Sequence, residues 1–271
     1  MTFGAEHITV RFGDVHALQD VTLDVPTGAV TAVVGGDGAG KSTLMRCLVG
    51  KVVPEQGSLR RPPKQQVGYL PSGSGSWRDL TVDENVEFVG RVYRLSRSAL
   101  DGRRSELLRA AGLLDVGNRL VRNLSGGMRQ KLGFVLAMLH RPALVVLDEP
   151  STGVDPVSRV ELWRMIAETA ADGAAVVMST TYVDEAERAS AVLVLDEGRA
   201  ALSGRPDEVI AAIPGRVVQV AHPADRRHAW RRGRSFHEWL PDGSPARGNP
   251  VLPDLEDTIV AEMLYAREVS R

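Results

Sequence analysis

One cysteine, few aromatic residues and almost no net charge characterise the sequence, and each scarcity narrows what the chain can be. The lone Cys47 closes no internal disulfide, and among Leu44, Met45, Leu48 and Val49 it reads as a small core hydrophobe rather than a redox centre. With 33 Lys and Arg against 34 Asp and Glu, the net charge of −1 supplies no overall field toward nucleic acid or an anionic membrane. The apolar runs, 143–147 and 174–178 among them, fall far short of the roughly 20 residues that span a bilayer. The first eight residues lack the basic stretch followed by an apolar one that makes a secretory signal. These absences predict a chain of the cytosol whose partners are set by local features. What is present suffices for a core: 271 residues, 43% of them hydrophobic, can bury most of the unfolded chain's surface without a disulfide or metal staple.

Short β-rich runs at 8–10, 21–25, 30–34, 66–70, 144–147, 175–178 and 192–195 alternate with helical stretches, which predicts an α/β protein with a largely parallel sheet. The runs around Val33, Val145, Val177 and Val194 are apolar on both faces, as buried parallel strands require. Between 72 and 140 the strand signals vanish. Thr81 with Glu84 forms a capping box that opens a helix reaching about Tyr93, and a second helix runs from Arg97 to about Ala111. Ser125 caps a third, whose Leu132, Val135, Leu136 and Leu139 recur at helical spacing until Pro142. A helical insertion therefore interrupts the sheet. Beyond Gly204 the pattern weakens, and residues 214–271 read as a small C-terminal appendage to a main domain of residues 1–213. Its arginine-rich stretch reads as an exposed, solvated loop.

The strongest chemical signal is Gly35, Gly36, Asp37, Gly38, Ala39, Gly40, Lys41, Ser42, which fits G-x-x-x-x-G-K-[ST] between a β-run and a helix. Glycines let backbone N–H groups wrap around phosphate oxygens, and the helix N-terminus adds its dipole. Lys41 would neutralise nucleotide phosphates, the Ser42 hydroxyl is a hard oxygen suited to Mg2+, and Thr43 follows at the start of the helix. Asp37 suits such a loop only with its carboxylate turned outward. A second element, the apolar run 143–147 delivering Asp148 and Glu149, puts two carboxylates at a strand's carboxyl end, where ligands of parallel sheets bind. There Asp148 would serve the metal and Glu149 would orient and deprotonate an attacking water.

Leu124, Ser125, Gly126, Gly127 and Met128 present donors at a helix N-terminus, again suited to an anion. This segment resembles the LSGGQ-type signature of ATP-binding cassette (ABC) proteins, with Met128 at the last position. The resemblance implies a P-loop NTPase core with a largely parallel sheet, an antiparallel β subdomain and the helical insertion. It further implies bound ATP with Mg2+ and a head-to-tail dimer in which the signature completes the partner's ATP site. Phe12 falls where the family stacks an aromatic on adenine, with a buried core phenylalanine as the competing reading. Residues 151–156 resemble the family's D-loop, residues 180–187 the segment after the next strand in drug-exporter ATPases, and residues 253–259 the end of their C-terminal extension.

Two positions depart from the family. Ser72 stands where the resemblance expects a glutamine reaching metal and water, two side-chain heavy atoms shorter in reach, and Thr181 stands where it expects a histidine against the γ-phosphate. Gln65 or Gln66 could replace the glutamine only by a slip of the loop. Loss of a positioned polar contact costs about 10²-fold in rate, so the resemblance with these departures predicts ATP binding with slow hydrolysis. A heterodimer, in which this chain's signature serves a competent partner site, is favoured over a homodimer. The leading reading is the ATP-binding subunit of an exporter, peripheral on the inner face of the cell membrane through a separate integral-membrane permease. Trp77, Val82, Val86 and Val89 are candidate docking residues for that permease, with internal packing of the insertion as the competing reading for each. The alternative is a soluble, non-transport ABC ATPase acting on ribosome or nucleic acid through Arg226, Arg227, Arg231, Arg232 and Arg234, with Trp230, Phe236 and Trp239 interleaved. No nucleic-acid partner is expected, and the sequence shows no N-K-x-D guanine-reading element of a GTPase.

Overall fold

The computed structural model describes residues 1–269. The final two residues of the predicted C-terminal appendage, 270 and 271, lie outside them. A six-stranded sheet forms the middle of the molecule. It is built from β3 (Val30–Val34), β5 (Val67–Leu70), β6 (Leu144–Asp148), β7 (Ala175–Thr180), β8 (Ala191–Asp196) and β9 (Arg199–Gly204), in the order β5-β6-β7-β3-β8-β9. The first five are parallel, and β9 returns antiparallel to β8. The α/β class and the central position of the four apolar runs agree with the sequence.

Alternate residues of these strands feed two separate cores. Val33, Val146, Val177 and Leu193 join one, shared with α1 (Lys41–Leu48) and with the antiparallel sheet β2-β1-β4, built from β1 (Thr2–Phe12), β2 (Val15–Pro26) and β4 (Gln56–Arg60). Val34, Val145, Leu147, Val176 and Val194 join the other, beneath the helices. Strands that feed two cores have no polar face, which explains the unbroken apolar runs. Cys47 is fully buried in the first core, and burial pushes its thiol up to about 11, so it behaves as an inert hydrophobe.

The helical insertion comprises α2 (Val82–Val92), α3 (Arg97–Ala110) and α4 (Gly126–Met138). The Thr81 capping box is formed in both directions, with Glu84 N donating to Thr81 Oγ1 at 3.1 Å and Thr81 N to Glu84 Oε2 at 2.7 Å. Helix α4 ends before Pro142, at Met138, and Arg141 turns the chain with a left-handed φ of 53°. Val82, Val86 and Val89 are buried inside the insertion, so the packing reading holds for them and the docking one does not. The exposed apolar residues there are Trp77, Phe88 and Val92, with the Trp77 and Phe88 rings in edge contact at 4.5 Å.

The remaining elements are α5 (Pro156–Ala171), α6 (Val183–Ala186), α7 (Pro206–Ala211) and a C-terminal unit of β10 (Arg216–Val220), β11 (Ala229–Arg232), β12 (Ser235–Leu240), β13 (Asn249–Pro250) and α8 (Leu255–Val269). Its strands form an antiparallel sheet, β11-β12-β10-β13. The arginine-rich stretch expected as a solvated loop is instead a 3₁₀ turn followed by β11. Arg232 pairs with Asp254, Glu256 and Asp257 of the α8 region, Arg227 pairs with Asp225, and Trp239 is wholly buried. The reason lies downstream: acidic residues 22 to 25 positions later, just before and at the start of α8, return to face the arginine.

Candidate functional site

Strand β3 ends at Val34, and the chain turns through 35–40 into α1. The turn closes at Gly40, whose φ of 104° is closed to ordinary side chains and whose missing Cβ would lie 2.6 Å from the Ala17 carbonyl oxygen. Helix α1 therefore starts directly at Lys41, which is 4% exposed. Its Nζ donates to the Gly35 and Gly36 carbonyls at 2.8 and 3.0 Å and lies 3.6 Å from a Glu149 carboxylate oxygen. Asp37 is exposed at the rim, the orientation the sequence required of it.

Parallel pairing brings the ends of β6 and β7 beside this loop, with Asp148 level with Ser179. Ser42 Oγ donates to Asp148 Oδ1 at 3.1 Å, and Ser179 Oγ donates to the same oxygen at 2.8 Å while accepting from Glu149 N at 2.9 Å. Glu149 itself has a φ of 51°, a left-handed conformation that a non-glycine residue holds only when its surroundings enforce it. Ser179 went unrecognised in the sequence because it looks like the polar end of an apolar run. A hydroxyl closing such a run beside an Asp-Glu strand end is the signal that could have found it.

An open cavity of about 320 Å³ sits over the loop, lined by residues 15–17, 37–43 and Glu149. Lys41, the loop and the adjacent hard oxygens of Ser42 and Asp148 fit a polyphosphate with a divalent cation. Phe12 is 52% exposed at the end of β1, paired with Val15 of the cavity wall, so the core reading of Phe12 is wrong. A larger cavity of about 520 Å³ lies between α3, α4 and α5, but it lacks a phosphate loop.

The signature segment is not part of this cavity. Ser125 caps α4 by accepting from Met128 N at 3.2 Å, and Leu124 is buried. Gly127 packs on α5: a Cβ there would meet the Ser158 side chain at 2.7 Å. Gly126 lies under the Gly153 carbonyl, so the segment abuts residues 153–158 of its own chain. Ser72 is exposed, and among the described residues none hydrogen-bonds its side chain; Thr181 is likewise exposed. Gln65 and Gln66 lie in a 3₁₀ turn before β5, at the amino end of the parallel strands and away from Asp148 at their carboxyl end, so neither can replace a side chain missing at position 72.

The chain matches the family model described as ABC transporter at 18–152, which spans the loop, the signature and Glu149. It is 37% identical over 220 residues to the probable multidrug ABC transporter ATP-binding protein YbhF of Escherichia coli (strain K12), covering 78% of this chain and 38% of that protein. It is 33% identical over 221 residues to the daunorubicin resistance ATP-binding protein DrrA3 of Streptomyces coeruleorubidus, covering 78% of this chain and 70% of that protein. The chain thus spans well under half the length of the first relative and most of the second. A solved structure described as an ATP binding subunit of an ABC transporter superposes with a TM-score of 0.71 at 29% identity, over 78% of this chain and 92% of that one. With the motifs in one site, the fold in register and these identities extending beyond the motifs, the chain belongs to the family of ABC transporter ATP-binding proteins.

Proposed function

We propose that this chain binds and hydrolyses ATP to drive a separate membrane permease of the exporter kind. The observation that carries the reading is the Ser42, Asp148, Ser179 and Glu149 network beside the loop. Residues 1–213 act as the cassette and 214–271 as its extension. In this reading the 35–43 backbone and Lys41 hold the ATP phosphates, and the exposed Phe12 offers its ring to the base. Ser42 and Asp148 would hold Mg2+, which supplies charge neutralisation at the transferred phosphate. Ser179 fixes the Asp148 carboxylate and the backbone of Glu149, whose carboxylate takes the proton of the attacking water.

Multidrug and drug-resistance relatives support export, and the exposed Trp77, Phe88 and Val92 on the insertion supply a surface for the permease. Such a partner would hold the chain at the inner face of the membrane. The signature abuts residues 153–158 of its own chain and stands apart from its own cavity, which supports completion of the site by a second cassette. With Ser72 and Thr181 short and neutral, the chain's own site is slow, and a heterodimer with a competent cassette is the favoured assembly.

Purified chain alone tests this reading. Mg-ATP should bind, Lys41→Ala should abolish binding, turnover should be slow, and Ser72→Gln with Thr181→His should raise it by about 10²-fold. Rapid turnover by the unmodified chain, or no gain in the double variant, removes the slow-site reading. Undiminished binding by Lys41→Ala removes the site itself.

A further inference from the structure

Glu185 is an acidic residue buried for no reason that packing supplies. It is 4% exposed, on the short helix α6, where an apolar side chain would cost less to bury. Its Oε2 accepts from Ser151 Oγ at 2.8 Å and from Thr180 Oγ1 at 2.7 Å, and its Oε1 from Arg159 Nε at 3.1 Å. Those donors come from the turn after Glu149, the end of β7 and α5.

Each partner leads to the site. Ser151 is two residues beyond Glu149, whose left-handed backbone donates from N to Ser179 Oγ at 2.9 Å and accepts at its carbonyl from Thr152 N at 3.3 Å. Thr180 precedes Thr181, and its hydroxyl also accepts from Tyr182 N at 3.0 Å, so it grips the chain on both sides of position 181. Arg159 lies over the Tyr182 ring at 3.9 Å and pairs with Asp184, fastening the same turn from α5.

We infer that Glu185 is a positioning residue of the ATP site, joining the turn after Glu149 to the segment that carries Thr181 so that the two move as one. The inference rests on the ATPase reading above for its kinetic consequence, and on the geometry alone for its structural one. Glu185 touches no reacting atom; it acts through Ser151 and Thr180.

Glu185→Gln keeps the size but removes the charge that three donors require. In that variant, amide hydrogen exchange at 149–152 and 180–182 should accelerate at least tenfold, while α1 and β3 exchange as before. Turnover should fall about tenfold or more, with KM for ATP and the Kd of Mg-ATP within about twofold. Ser151→Ala should reproduce part of the loss and add little when combined with Glu185→Gln. Unchanged exchange in both turns overturns the inference, as does a fall in turnover that only parallels weaker ATP binding and a lower Tm. The exchange readout decides it even in a chain without turnover, a result that would instead sink the ATPase reading.

Discussion

His140 shows how a single buried side chain makes stability depend on pH. Its ring lies flat on Tyr93, 3.6 Å between centres, and its Nε2 donates to the Val67 carbonyl at 3.1 Å, while Nδ1 is buried without a partner among the described residues. Burial holds its pKa below the ordinary value. The folded chain therefore resists a proton that the unfolded chain accepts near pH 6.5. The stabilisation is complete above that pH and is lost as pH falls toward the lower folded pKa. Tm measured from pH 7.5 to 5 should fall more steeply in the natural chain than in His140→Phe, which keeps the stack and removes the titration. Legibility at this scale follows the range of the interaction. The phosphate loop was plain because its glycines and Lys41 act within a few residues. Ser179 was invisible because Asp148 stands 31 positions away, and Glu185 because two of its three partners, Ser151 and Arg159, stand 34 and 26 positions away.

Among the elements, α2 is held to the segment before it by Asn85, which is fully buried. Its Oδ1 accepts from Trp77 N at 2.8 Å, and its Nδ2 donates to the Trp77 and Thr81 carbonyls at 3.1 and 2.8 Å. Asn85→Ala should cost about 2–3 kcal/mol by stranding buried backbone groups. It should also loosen Trp77, read as a lower denaturation midpoint and a red-shifted Trp emission. Elements with caps and apolar faces were legible, as Thr81 and Ser125 show. Strand β4, Gln-Gly-Ser-Leu-Arg, was not, because it is an exposed edge held by backbone pairing with β1, a bond that leaves no mark on side-chain pattern.

For the whole molecule, the C-terminal unit proves to be more than an appendage. Leu255 and Ile259 of α8 lie in the same core as Val34 and Val194 of the central sheet, and Leu255 N donates to Glu187 Oε1 at 3.2 Å, one residue past α6. The sequence of 214–253 hid this because its strands are short and interrupted by proline and glycine, with their covering helix arriving only afterwards. A shared core predicts a single cooperative unfolding transition for the chain. Leu255→Ala should lower stability by about 2–5 kcal/mol and separate the calorimetric trace into two steps. An unchanged transition in that variant would show that Leu255 does not tie the unit to the cassette.

The left-handed backbone at Glu149 sets durability against work. Glycine at that position relieves about 1–2 kcal/mol of steric conflict, and the added freedom of its unfolded chain takes back about 0.4–1 kcal/mol. Glu149→Gly should therefore resist denaturant at least as well as the natural chain, by up to about 1.6 kcal/mol, while hydrolysing nothing. An engineer seeking a longer-lived version of this protein by screening for stability alone would be drawn toward that substitution, and would recover a sturdier chain with an idle site.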